Sequence, residues 1–149
     1  MGTVYKVCLW ILQYFLLNES RVAPRAVKNA KARPGAILCI DDEPKGLAVR
    51  KILLESQGYE VLTATSGREG LALFAHHRIP AVVLDYAMPE MNGDVVAAAL
   101  KRLDPAVKIL LYSAYVDLPQ EVLRWVDAYA TKGDHPRAFF AAVQQLLAC

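Results

Sequence analysis

Residues 36–44 run Ala36-Ile37-Leu38-Cys39-Ile40-Asp41-Asp42-Glu43-Pro44. Five apolar residues stop at three acids, and a proline follows. A short apolar run bounded by polar residues predicts a buried strand. Pro44 suits the first turn of a helix, where the missing N–H would have no partner anyway. The stretch therefore reads strand, acidic turn, helix. Leu47, Ala48, Ile52 and Leu54 draw an apolar side for that helix, and Gly58 suits its stop.

The same unit recurs downstream. Glu60–Ala64 is a second strand, and Ser66 with Glu69 forms a capping box for a helix to about His76. Ala81–Leu84 is a third apolar run and ends at Asp85. Gly93 and Asp94 open an alanine-rich helix to about Leu103. Val107–Tyr112 is β-rich and ends at Ser113. Asp117 would cap, and Pro119 open, a helix to about Val126. Ala128–Thr131 is a short strand ending at Lys132. Asp134 and Pro136 begin a last helix, with Phe139, Val143 and Leu146 on one face. Repeated strand–helix alternation predicts an α/β fold with a mostly parallel sheet, helices on both faces and right-handed crossovers.

Length supports one domain with a few dozen residues over. The chain has 149 residues, 17 Lys+Arg, 15 Asp+Glu and a formal net charge of +2. At 55% hydrophobic and 21% charged it is not disordered. Cys8, Cys39 and Cys149 are too few and too far apart for a disulfide framework or a zinc knuckle, which fits a reducing compartment. Cys39 reads as a small buried residue. Residues 1–35 hold Lys6, Arg21, Arg25, Lys28, Lys31 and Arg33 against Glu19 alone, a net +5. The remaining 11 basic and 14 acidic residues give residues 36–149 a net −3. That balance argues against direct DNA binding by the domain.

Four strands end at a reactive or charged residue: Asp41/Asp42, Asp85, Ser113 and Lys132. In open parallel sheets, ligands bind beyond the carboxyl ends of the strands. These residues should therefore converge. Three close carboxylates repel one another unless a cation joins them. Hard oxygen ligands favour Mg²⁺. A carboxylate can attack a phosphoryl group to give an aspartyl-phosphate, and an ammonium and a hydroxyl suit the phosphoryl oxygens. His76 and His77, at a helix end beside Arg78, read as exposed surface residues. Met88 and Met91 read as loop packing.

Residues 36–149 resemble the receiver domain of two-component response regulators. The matching pieces are Asp41-Asp42-Glu43, the run Asp85-Tyr86-Ala87-Met88-Pro89-Glu90-Met91-Asn92-Gly93, Ser113-Ala114, and Lys132 with Tyr129 three residues before it. The resemblance implies a flavodoxin-like, doubly wound, five-stranded parallel sheet of order 2-1-3-4-5. It implies that Asp85 accepts a phosphoryl group from a histidine kinase or phosphotransfer protein. Asp41, Asp42, Asp85 and the backbone carbonyl of Ala87 would hold Mg²⁺. Lys132 would pair with the phosphoryl group, Ser113 would hydrogen-bond it, and Tyr129 would change rotamer. The face made by the fourth helix, fifth strand and fifth helix would then change its binding preference toward a downstream protein. Phosphorylation-linked homodimerisation is a further option. Such a protein is a cytoplasmic switch rather than an enzyme, promoting its own phosphotransfer and dephosphorylation. One departure stands out: Gly133 follows Lys132 where the family usually has Pro, often after a cis bond, so a trans, more flexible loop is expected.

Other readings compete. A haloacid-dehalogenase-type phosphatase needs a second Asp two residues after its nucleophile, and Glu43 occupies that position relative to Asp41. A pseudo-receiver usually lacks an acid, the acceptor or the lysine, and none is missing. The expectation is a stand-alone receiver, acting by protein contact or as a phosphate shuttle or sink. Residues 4–17 are apolar except Lys6 and Gln13, short of the roughly 20 residues a membrane span needs. No secretory cleavage site follows. Residues 18–35 read as a basic linker. The extension admits three readings: a start-site artefact, a partner-binding helix, and an amphipathic membrane anchor. The anchor is disfavoured by its narrow polar face.

Overall fold

The computed structural model describes residues 35–148. The readings of residues 1–34, including the anchor, lie outside the described residues. Ten elements alternate. They are β1 (Ile37–Ile40), α1 (Pro44–Glu55), β2 (Val61–Ala64), α2 (Gly67–His76), β3 (Ala81–Leu84), α3 (Gly93–Leu103), β4 (Lys108–Ser113), α4 (Gln120–Leu123), β5 (Ala128–Thr131) and α5 (Pro136–Ala148). The strands form one parallel sheet in the order β2-β1-β3-β4-β5. β1 lies between β2 and β3, with Ile37 opposite Val61 on one side and Ala81 on the other.

Alternation along the strands divides the core in two. Leu38, Ile40, Val82, Leu84, Ile109 and Leu111 face one side and pack with Val96, Ala97 and Leu100 of α3 and Val122 of α4. Ile37, Cys39, Ala81, Val83 and Leu110 face the other and pack with Leu47 and Leu54 of α1 and with Phe139, Val143 and Leu146 of α5. The inner strands β1 and β3 are buried along their whole length, as a sheet covered on both faces requires. Cys39 is fully buried, and burial pushes its thiol up to about 12, so it is an inert core residue.

The helix starts follow their local chemistry. Ser66 Oγ accepts the Glu69 N–H at 3.2 Å, while the Glu69 carboxylate reaches back to the Thr65 N–H at 2.7 Å. The cap is thus reciprocal, though its second half falls on Thr65. Gly58, with φ +88°, turns the chain after α1. Two expectations are corrected. The buried side of α1 is Leu47, Arg50 and Leu54; Ala48 and Ile52 face solvent. The fourth helix is a single turn, Gln120–Leu123, not a helix to Val126. Beyond it the chain closes in tighter i→i−3 bonds, Trp125 N–H to Val122 O and Val126 N–H to Leu123 O.

Candidate functional site

The carboxyl ends of β1 and β3 bring Asp41 and Asp85 side by side, because Ile40 pairs with Leu84 in register. Asp41 is 1% exposed and Asp85 7%. Asp42, one residue on, points to solvent. Carboxylate oxygens of Asp41, Asp42 and Asp85 all lie within 4.8 Å of one another. Lys132, just past β5, bridges the pair: its Nζ donates to Asp41 Oδ2 at 2.6 Å and lies 3.1 Å from Asp85 Oδ1. Its backbone N–H donates to the Ser113 carbonyl at 2.8 Å, which ties the end of β5 to the end of β4.

Burial pushes the Asp41 carboxyl up. The Lys132 hydrogen bond, the Glu43 N–H and the Arg50 charge outweigh it and hold the group below the usual carboxylate range. Asp85 goes the other way. Burial and then the Asp41 charge raise it, and Lys132 only partly offsets them. Burial pulls Lys132 down, but the two carboxylates raise it further, so it is a firmly held cation.

The loop after β3 is fitted closely. A Cβ on Gly93 would sit 2.3 Å from the Asp85 carbonyl oxygen and 2.9 Å from Tyr86 Cα. The Gly93 N–H also donates to the Tyr86 carbonyl at 2.7 Å. Only glycine admits this approach of the start of α3 to the backbone of Asp85. Ala87, two residues past Asp85, is exposed in the same loop. The loop also carries Glu90 in the left-handed region, φ 65°.

Ser113 is fully buried, and its Oγ accepts the Tyr115 N–H at 3.1 Å. The Tyr129 hydroxyl donates to the Tyr115 carbonyl. Ser113 and Tyr129 are therefore linked through one exposed residue, Tyr115, whose ring meets Tyr86 edge-on at 6.0 Å. Strand-end reasoning missed Tyr115. It also missed Arg50, whose Nη2 lies 2.5 Å from Asp41 Oδ2. Arg50 falls on the face of Leu47 and Leu54, and a cation within a buried stripe is itself a signal for an acidic partner. Among the described residues every peptide bond is trans, Gly133 is exposed, and a Cβ there would meet open space. His76 and His77 are exposed, away from the acids. A cavity of about 240 Å³ lined by Lys108, Asp127, Ala128, Gln145 and Leu146 contains none of these site residues.

Converging acids and a lysine beyond a 2-1-3-4-5 sheet define a receiver-type site. The family described as "Response regulator receiver domain" matches residues 37–132, and the chain belongs to that family. It is 30% identical over 118 residues to the transcriptional regulatory protein GlrR of Escherichia coli, covering 77% of this chain and 27% of GlrR. The chain thus spans only about a quarter to a half of the length of curated relatives it matches. A CheY-like receiver from Methanospirillum hungatei superposes with a TM-score of 0.72 at 29% identity, covering 76% of this chain and 93% of that one. The response regulator TrrA of Thermotoga maritima, solved in complex with Mg²⁺-BeF, gives 0.71 at 32% identity, covering 75% and 98%. TrrA has also been solved with the histidine kinase ThkA. Among the described residues no helix is long and apolar enough to cross a membrane.

Proposed function

We propose that the chain accepts a phosphoryl group on Asp85 from the phosphohistidine of a kinase or phosphotransfer protein, and signals by changing its protein contacts. The observation that carries this is the Lys132 ammonium bridging Asp41 and Asp85, with the Asp42 carboxylate alongside. The donor set, three clustered carboxylates, fits Mg²⁺. Asp41, Asp42, Asp85 and the Ala87 carbonyl would hold the ion. When bound it neutralises charge on the transferring phosphoryl group.

The chain's own residues divide the remaining work. An Asp85 oxygen attacks phosphorus as the P–N bond to histidine breaks. Its place at the end of β3, beside Asp41 and within reach of Lys132, presents that oxygen at the acid pocket. Lys132 holds its proton and pairs with phosphoryl oxygens. Ser113 turns its hydroxyl toward the phosphoryl group and gives up the Tyr115 N–H. The Tyr115 carbonyl is the partner of Tyr129, so this rearrangement reaches β5 and biases the face of α4, β5 and α5. Hydrolysis of the aspartyl-phosphate by water ends the signal. The partners are a donor kinase or phosphotransfer protein and a downstream protein, with homodimerisation an added option. Such a relay and the free Cys39 thiol suit the cytoplasm.

Backbone amide spectra with and without Mg²⁺ and beryllium fluoride test this reading. Shifts should centre on Asp85, Lys132 and Ser113 and extend to Tyr115 and Tyr129, and Asp85→Asn should abolish them. Shifts confined to other surfaces, or no shifts, would overturn it.

A further inference from the structure

Arg50 is a buried cation to which the phosphoryl chemistry above gives no task. It is 8% exposed and shares the inner face of α1 with Leu47 and Leu54. Its guanidinium carbon lies 5.4 Å from the centroid of the Tyr112 ring, and Tyr112 in turn packs on Phe139 at 4.8 Å. A Cβ on Gly46 would lie 3.3 and 3.4 Å from its two terminal nitrogens, so glycine leaves the guanidinium its room. Ahead of it stands Asp41 Oδ2, at 2.5 Å. The cation has a built seat, with an aromatic face on one side and a carboxylate at its tip.

We propose that Arg50 is a resident counter-cation of the acid pocket. It is a positioning residue that fixes Asp41 and weakens the pocket's hold on a divalent cation. This rests on the reading in which Asp41 belongs to the Mg²⁺ site. Asp41 accepts three donors: the Glu43 N–H at Oδ1, and Arg50 and Lys132 both at Oδ2. Lys132 is partly exposed and shared with Asp85, and its long aliphatic stem can follow an incoming phosphoryl group. Arg50 is packed and planar and, among the described residues, pairs with Asp41 and no second carboxylate, so its charge stays. Without metal, Arg50 and Lys132 offset two of the three carboxylate charges, and the cluster tolerates its own repulsion. With metal, a fixed positive charge one carboxylate away opposes the ion. A unit charge against a double charge several ångströms apart in a water-rich site is worth about tenfold in affinity.

Titration calorimetry of the full chain with Mg²⁺ tests this, with metal-free thermal unfolding measured alongside. Arg50→Gln and Arg50→Leu should bind Mg²⁺ about tenfold tighter than wild type, and Arg50→Lys within about twofold of it. The glutamine variant keeps a hydrogen-bonding side chain at the seat should leucine fail to fold. Mg²⁺ should also raise the unfolding midpoint of the neutral variants more than that of wild type. A mere loss of packing would not tighten metal binding, nor would lysine reverse it. Equal or weaker Mg²⁺ binding by both neutral variants would overturn the proposal and leave the metal site standing. Absence of Mg²⁺ binding in wild type and every variant would overturn the metal site itself, and the proposal with it.

Discussion

Asp41 lies within the protein and Asp42 in solvent, although one peptide bond joins them. Removing either therefore has different consequences. Asp41→Ala strands the buried Arg50 guanidinium without its carboxylate, and should cost about 3 kcal/mol in metal-free denaturant unfolding at neutral pH. Asp42→Ala should stay within about 0.5 kcal/mol of wild type. The Asp41 carboxyl is held below its ordinary value, so its share of stability is present above that ordinary value and is lost as pH falls through the lowered one. The gap between wild type and Asp41→Ala should accordingly close in acid. Equal effects of the two substitutions, or a gap that widens in acid, would refute this. At this scale Asp41, Asp42, Asp85, Ser113 and Lys132 were legible because each ends a strand. Arg50 was not, because Leu47 and Leu54 also line up with Ala48 and Ile52, an apolar side that leaves the arginine out. Helical spacing alone does not choose between two overlapping stripes on a short helix with few polar residues. Tyr115 was hidden because its part is played by its backbone, which carries no side-chain signature.

Strands were the most legible elements. β3 and β5 coincide with their expected residues, β1 and β2 begin one residue later, and β4 is shifted by one residue at both ends. Their runs are apolar because both faces of the sheet are covered, and each stops where the chemistry begins. α4 was the least legible. Its N-cap is Pro119 rather than Asp117, and Trp125 and Val126 pack against the core outside the helix, so the apolar spacing that suggests a longer helix serves a turn instead. The loop from β3 to α3 gives the element-scale prediction. Gly93→Ala drives a Cβ into backbone atoms of Asp85 and Tyr86, neither of which is a flexible side-chain end. It should cost about 1–3 kcal/mol by chemical denaturation and slow phosphoryl uptake, because the strained loop carries Asp85, the proposed acceptor. A variant with wild-type stability and uptake would show that this approach does not position Asp85.

Across the whole molecule, a sheet whose order reverses beside β1 and β3 leaves a crevice between their carboxyl ends, and the acids occupy it. The net charge of +2 hides this, since a basic extension masks a domain of net −3. The charge that matters is local: three carboxylates, with Lys132 and Arg50 among them. In the proposed function, Asp85 takes the phosphoryl group. Intact-mass measurement of the full chain with acetyl phosphate and Mg²⁺ tests it most directly. The expected result is a gain of one phosphoryl group, lost on chelating Mg²⁺ and absent from Asp85→Asn. No gain in the wild-type chain, or an equal gain in Asp85→Asn, would contradict it.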